Sequence, residues 1–256
     1  MRKTLAFTLA ETLIVIGIIG VVAALTIPTL NSDANSKDKI TKVKKSYSVL
    51  EDAFGRMVSD LGPVNEWASG NLTSRRLTGK IASYMKATKK CFETTDTGCF
   101  SANAVPITTA GAVGTDAITG KEPSFLLADG IAVSLIADTT NGCKKYDTFD
   151  VAEVCGMAIV DVDGPTKGKD QYGLDLFAFY VTPEGLVPVG LDNDGIFPST
   201  GTGTTCVGQS DATQRYGCTA WVIYNGNMDY NKLGSDGKCP DGSTQLTWNG
   251  TQSCPD

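Results

Sequence analysis

No histidine occurs among the 256 residues of this chain. That absence removes Ser-His-Asp and Cys-His nucleophile systems, His-ligated zinc and imidazole acid/base work together. No Walker A loop, G-x-S-x-G elbow or C-x-x-C pair is present either. The carboxylates gather in two places. Asp161-Val162-Asp163-Gly164 runs on to Gly173-Leu174-Asp175, and Asp192-Asn193-Asp194-Gly195 follows. Clustered carboxylate and carbonyl oxygens are what calcium requires, which makes Asp161, Asp163 and Asp175 candidate metal ligands. Asp and Asn also favour turns by bonding to nearby backbone, and neither segment completes an EF-hand loop, so turn and metal stand side by side as readings. As a general acid and base, Asp161 and Asp175 lack anything in the sequence that would position a substrate between them, and an enzyme is not expected.

The remaining carboxylate of note is Glu11, alone in the apolar run Phe7 to Leu30, FTLAETLIVIGIIGVVAALTIPTL. As a helix that run would measure roughly 36 Å, more than the ~30 Å hydrocarbon thickness of a bilayer. A charge inside such a segment is costly and marks function. Gly17 and Gly20 offer surfaces where helices can approach closely.

The eight cysteines, at 91, 99, 143, 155, 206, 218, 239 and 254, all follow the apolar run and lack metal-type spacing. They point to disulfides in an oxidising compartment. Their spacing suggests neighbouring pairs, Cys91 with Cys99, Cys143 with Cys155, Cys206 with Cys218 and Cys239 with Cys254, one choice among roughly a hundred connectivities.

Arg2 and Lys3 lie before the apolar run, and Lys37, Lys39, Lys42, Lys44 and Lys45 after it. Charge counting alone would put the C-terminal side in the cytoplasm. The cysteines decide otherwise, because large domains translocate largely regardless of charge and disulfides need the non-reducing side. The net charge of −6, without a basic stripe interleaved with aromatics, gives no footprint for nucleic acid.

A short basic leader, then Ala6-Phe7-Thr8-Leu9-Ala10-Glu11, then an apolar helix resembles the processing and methylation motif of type IV pilins and type II secretion pseudopilins. The resemblance implies cleavage between Ala6 and Phe7 by a prepilin peptidase, N-methylation of Phe7, and Glu11 as the fifth mature residue, where the family has its glutamate. Pro28 falls where many members have a helix-interrupting proline. The family usually has Gly before the cut, and here Ala6 stands there. The implied partners are the peptidase, like subunits in a homo- or hetero-oligomeric filament, and an inner-membrane assembly platform with its ATPase. The implied location is a bacterial inner membrane, crossed once with the N-terminus cytoplasmic and the head periplasmic, before assembly into a filament. A different class of function, a singly anchored envelope protein whose head binds a ligand, would need no cleavage.

The elements follow from periodicity. Ile40, Val43, Tyr47, Leu50, Phe54, Met57 and Leu61 alternate spacings of three and four, one helical stripe that Gly62-Pro63 ends. A short helix is predicted at Gly79 to Ala87 and a long loop at Ser101 to Gly120. Phe125 to Ala128, Asp129-Gly130 and Ile131 to Ala137 read as a two-residue hairpin, and Met157 to Val162, Leu176 to Val181 and Leu186 to Val189 as further strands. Ser199 to Thr205 reads as a surface insertion, and the apolar-poor tail Cys239 to Cys254 needs its disulfide. Cys218 to Ile223, Asn225-Gly226 and Met228 to Tyr230, with Asp161 to Phe179, resemble the C-terminal domains of some bacterial pilin-like proteins. The expected fold is α+β: a leader at 1–6, a transmembrane helix at 7–30, its amphipathic continuation at 31–62, and a head at 63–256 in which the helix packs on an antiparallel sheet with disulfide-closed loops.

Overall fold

A computed structural model describes residues 9–67, 72–93, 95–101, 122–138, 143, 153–192, 194, 206–207 and 215–255, with the side chains of residues 25–33 left aside. Ala6, Phe7, Asn193, Gly195, the side chain of Pro28, all but Ser101 of the loop expected at Ser101 to Gly120, and the insertion at Ser199 to Thr205 therefore lie outside the description. The chain forms two compact units, Met1–Asp38 and Lys39–Asp256, and helix α1, Leu9–Leu61, runs from one into the other. In the first unit Leu9, Leu13, Ile14, Ile16, Ile19 and Val21 each expose more than half of their surface. Among the described residues no helix is long and apolar enough to cross a membrane. The Phe7 to Leu30 run includes residues outside that description, at 7–8 and in the side chains of 25–30.

The second unit includes the second half of α1, which supplies part of its core. Val43, Leu50, Ala53, Phe54 and Met57 are fully buried, with Ile40 and Tyr47 partly so. Leu61, predicted as the last residue of this stripe, is 36% exposed. It belongs to the helix end, where Gly62 turns the chain at φ +83° and donates its N–H to Val58 O. After α2, Val64–Trp67, comes α3, Ser74–Ser83. The helix predicted at Gly79 to Ala87 is thus displaced. Thr73 caps its start by accepting the Arg76 N–H, and Ala87 already opens a strand.

The sheet has six strands, β1 Ala87–Cys91, β2 Ser124–Leu127, β3 Ala132–Ala137, β4 Gly156–Asp161, β5 Leu176–Val181 and β6 Leu186–Pro188, in chain order and antiparallel throughout. Every residue of β3, β4 and β5 is buried. Along β5, Phe177, Phe179 and Val181 face the core shared with α1 and α3, while Leu176, Ala178 and Tyr180 join a second cluster with Tyr172, Val189 and Tyr216. Burial on both faces is why these strands read as near-continuous apolar runs. The edges are handled differently: β1 carries exposed Lys89 and Lys90, and β6 ends in Pro188. The β2–β3 connection has three residues, not two. Leu127 N–H bonds Ile131 O, and Gly130 adopts φ +85°, the left-handed residue that closes such a loop.

Helix α4, Cys218–Asn225, packs beside β5 and β6. Ala178 N–H bonds Thr219 Oγ1 at 2.9 Å, and Ala220 N–H bonds Val189 O at 2.9 Å. Gly190 permits that approach, since a Cβ there would lie 1.8 Å from Gly217 O. The cysteines form four disulfides, Cys91–Cys99, Cys143–Cys155, Cys206–Cys218 and Cys239–Cys254, each between neighbours in the chain. The established fold is α+β, with a six-stranded antiparallel sheet and four disulfides.

Candidate functional site

The acidic run predicted around Asp161 lies between β4 and β5, whose pairing puts Asp161 opposite Leu176 and so brings Asp175 close. Asp175 organises the connection from inside: its two carboxylate oxygens accept N–H groups from Lys169, Asp170 and Gln171. Asp170 holds φ +54°, the one non-glycine residue with positive φ among those described, and its carboxylate accepts the Ser101 hydroxyl at 2.7 Å. Asp161 Oδ1 accepts N–H groups from Asp163 at 3.1 Å and Gly164 at 2.9 Å, forming a turn. Asp163 points to α1, where Lys39 Nζ lies 3.0 Å and Lys42 Nζ 3.7 Å from its carboxylate.

Electrostatically the odd member is Asp161. Its carboxyl is fully buried, Oδ2 has no hydrogen-bond partner, and its pKa is raised to about 7. Desolvation is the main cause, the two backbone N–H bonds oppose it, and the charges of Asp170 and Asp175 add to it. Asp170 is raised as well, by burial first and by Asp175, against the pull of Ser101.

Calcium would need several of these oxygens converging with free lone pairs. Among the described residues no group of three acidic or cysteine side chains is arranged to hold a metal ion. Asp175 is committed to three backbone donors and Asp163 to two lysines, so the set fits a turn that fixes a loop better than it fits a cation. Asp194, in the second acidic segment, does the same: buried, it accepts the Tyr180 hydroxyl and the Gly190 N–H. Asp170 and Lys39, which sequence reasoning did not single out, complete the cluster. Both sat in plain view, Asp170 inside the acidic run and Lys39 in the lysine patch after the apolar segment.

Two clefts open elsewhere on the second unit. One, of about 400 Å³, lies between α1 and the β2–β3 turn and includes Lys45, Val49, Arg56, Tyr84 and Asp129. Lys45 crosses it to Asp129 at 2.6 Å. The other, of about 490 Å³, is lined by Leu191, Tyr224, Asn225, Trp248, Asn249 and Gln252. Its residues come from three separate stretches, so no local pattern marked it; a tryptophan in the otherwise apolar-poor tail was the only signal.

Glu11 lies in the first turn of α1, where a carboxylate is favourable to the helix dipole. The cleavage residues Ala6 and Phe7 and the side chain of Pro28 lie outside the described residues. No family model, curated protein or solved structure matches the chain.

Proposed function

We propose that the chain is a structural subunit, a pilin or pseudopilin, stored in a bacterial inner membrane and assembled into a type IV pilus-like or type II secretion filament. The observation that carries this reading is Glu11, a single carboxylate in the apolar run, four residues after Phe7 in a leader-Phe-x-x-x-Glu arrangement. Two further features support it. The apolar side chains at the start of α1 are exposed on all sides, a surface that is stable only in lipid or among other apolar helices. The second unit carries four disulfides, the mark of an oxidising compartment.

In this reading a prepilin peptidase removes Met1 to Ala6 and methylates Phe7, and a platform with its ATPase lifts the subunit out of the bilayer. Extraction from lipid is expensive unless another apolar environment receives the helix, and a bundle of like helices does so. Non-closing contacts between copies give a filament. Glu11 then meets the amine of Phe7, of the same or a neighbouring subunit, and sliding out of register would leave a charge unpaired in low dielectric.

Intact-mass measurement of the mature protein from membranes tests the reading. The expected mass lacks MRKTLA and carries one added methyl group. An N-terminus that retains the leader would replace this reading with a singly anchored envelope protein that binds a ligand through its head.

A further inference from the structure

Asn-Gly pairs occur in the sequence at 141–142, 225–226 and 249–250. Such a pair is chemically labile, because the glycine nitrogen, with no side chain beside it, can attack the asparagine side-chain carbon. The first pair lies outside the described residues, and the structure treats the other two in opposite ways. Asn225-Gly226 ends α4, where Gly226 donates its N–H to Val222 O at 3.1 Å and Asn225 Nδ2 is buried. There the nucleophile is tied into the helix cap and the amide that would leave is packed away. Asn249-Gly250 is exposed, within a turn that Thr247 and Thr251 close: Thr247 N–H bonds Thr251 O at 2.8 Å, and Thr251 N–H bonds Thr247 Oγ1 at 3.1 Å. Among the described residues no acceptor meets the Gly250 N–H. The turn also demands glycine, since a Cβ at 250 would lie 2.5 Å from Thr247 Oγ1, the hydroxyl that accepts the Thr251 N–H.

The contact that Asn249 makes decides what its loss would do. Its Nδ2 donates to Asp192 Oδ2 at 2.8 Å, linking the tail closed by Cys239–Cys254 to the segment after β6. We propose that Asn249 is a site of spontaneous deamidation whose product releases the tail from Asp192. Hydroxide removes the Gly250 N–H proton, the nitrogen attacks Asn249 Cγ, and the Cγ–Nδ2 bond breaks as water protonates the departing nitrogen to ammonia. Water then opens the cyclic imide at either carbonyl, leaving the carboxylate of an aspartate or an isoaspartate. The net reaction consumes water and releases ammonia. The donor to Asp192 is then gone, and in the aspartate product a second carboxylate faces it across the same short gap, where like charges repel. Asn227 Nδ2 to Gln252 O and Cys254 N–H to Asp229 Oδ2, both at 2.9 Å, still hold the tail, so the change frees one edge without unfolding the unit. The site lies wholly within the second unit and does not depend on the filament reading.

The test keeps the full chain, folded in detergent, in mildly alkaline buffer and samples it over days by reduction, trypsin digestion and mass spectrometry. Cleavage after Arg215, Lys232 and Lys238 places Asn225 and Asn249 in separate peptides. Replacement of the side-chain NH2 by OH is expected at least about tenfold faster at Asn249 than at Asn225, the factor that one retained cap hydrogen bond adds to a barrier. Unfolding the reduced chain in urea should bring the two rates together. Asn249→Asp reproduces one product and should lower the melting temperature by about 2–4 °C, the shift that losing one hydrogen bond brings in a domain of this size. Adding Asp192→Asn reverses donor and acceptor and should restore the wild-type value. No conversion at Asn249, a rate ratio that urea leaves unchanged, or a wild-type melting temperature in Asn249→Asp would overturn the proposal.

Discussion

Replacing Asp161 with asparagine should stabilise this protein in alkaline solution, although it alters a fully buried side chain in a network of backbone bonds. The carboxyl titrates near pH 7 in the folded protein against an ordinary value of 3.8. Between those two pH values the folded state holds more protons than the unfolded state, so the contribution of Asp161 to stability falls as pH rises. Below about pH 4 both states are protonated and no penalty exists; above about pH 7 both are ionised and the penalty is complete. At ~1.4 kcal/mol per pH unit, the interval amounts to about 4 kcal/mol. Asparagine keeps the acceptor for the Asp163 and Gly164 N–H groups and cannot ionise. Its amide nitrogen would occupy the place of the unpartnered Oδ2, at a cost of ~1–3 kcal/mol. The net expectation is a variant more stable than wild type by about 1–3 kcal/mol at pH 8, with the advantage gone by pH 4.5. Urea unfolding at both pH values, in a chelator and followed by circular dichroism, measures it. Comparing the two proteins at each pH removes the other titrating groups, such as Glu51, whose pKa burial also raises. A variant less stable than wild type at pH 8 would refute the reasoning. A calcium-induced gain in wild type that is lost in the variant would replace the turn with a metal site.

Lys39 and Asp163 pair at 3.0 Å with side chains only 6% and 16% exposed, so Lys39→Met should cost about 3 kcal/mol by leaving a buried carboxylate, eased by Lys42. Adding Asp163→Leu should recover most of that loss, and a double-mutant cycle in urea reads the coupling. Removing the Cys239–Cys254 disulfide, which spans 15 residues, by double serine substitution should lower stability by about 3 kcal/mol in the same assay. Glu11→Ala should insert and lose its leader normally but reduce sheared filament yield by about tenfold or more, the effect of leaving one amine unpaired in a low-dielectric bundle. Normal yield from that variant would end the register role assigned to Glu11.

The sheet was largely legible because its central strands bury both faces: Leu176 to Val181 leaves no polar position to blur the pattern, and the observed strand has the same bounds. Strand β1 was not legible, since the edge sequence ATKKC carries little apolar signal and its pairing with β2 is irregular at Ala87 to Lys89. Helix α3 was misplaced for a related reason. Its buried residues, Leu77, Thr78, Ile81 and Ala82, amount to barely two turns, and the informative residue was the cap Thr73. At the acidic cluster the residue types were readable but their use was not: which carboxylate is satisfied by backbone donors depends on the path between β4 and β5, and that path is set by Asp175 from inside. The cleft beside α4 draws on residues 191, 224–225 and 248–252 and exists only once the tail is folded against α4.

The chain-order arrangement of β1 to β6 has a consequence for how the second unit is made. Each strand pairs with its immediate predecessor, and each disulfide joins a cysteine to the next one along, across separations of only 8, 12, 12 and 15 residues. Short closures are fast and cost little chain entropy. A chain oxidised progressively from its N-terminal end therefore reaches the native connectivity without shuffling, because the partner of every second thiol is already the nearest one available. What waits is the second half of α1, synthesised first and buried last, which stays without its full apolar partner until β5 and β6 have closed the sheet.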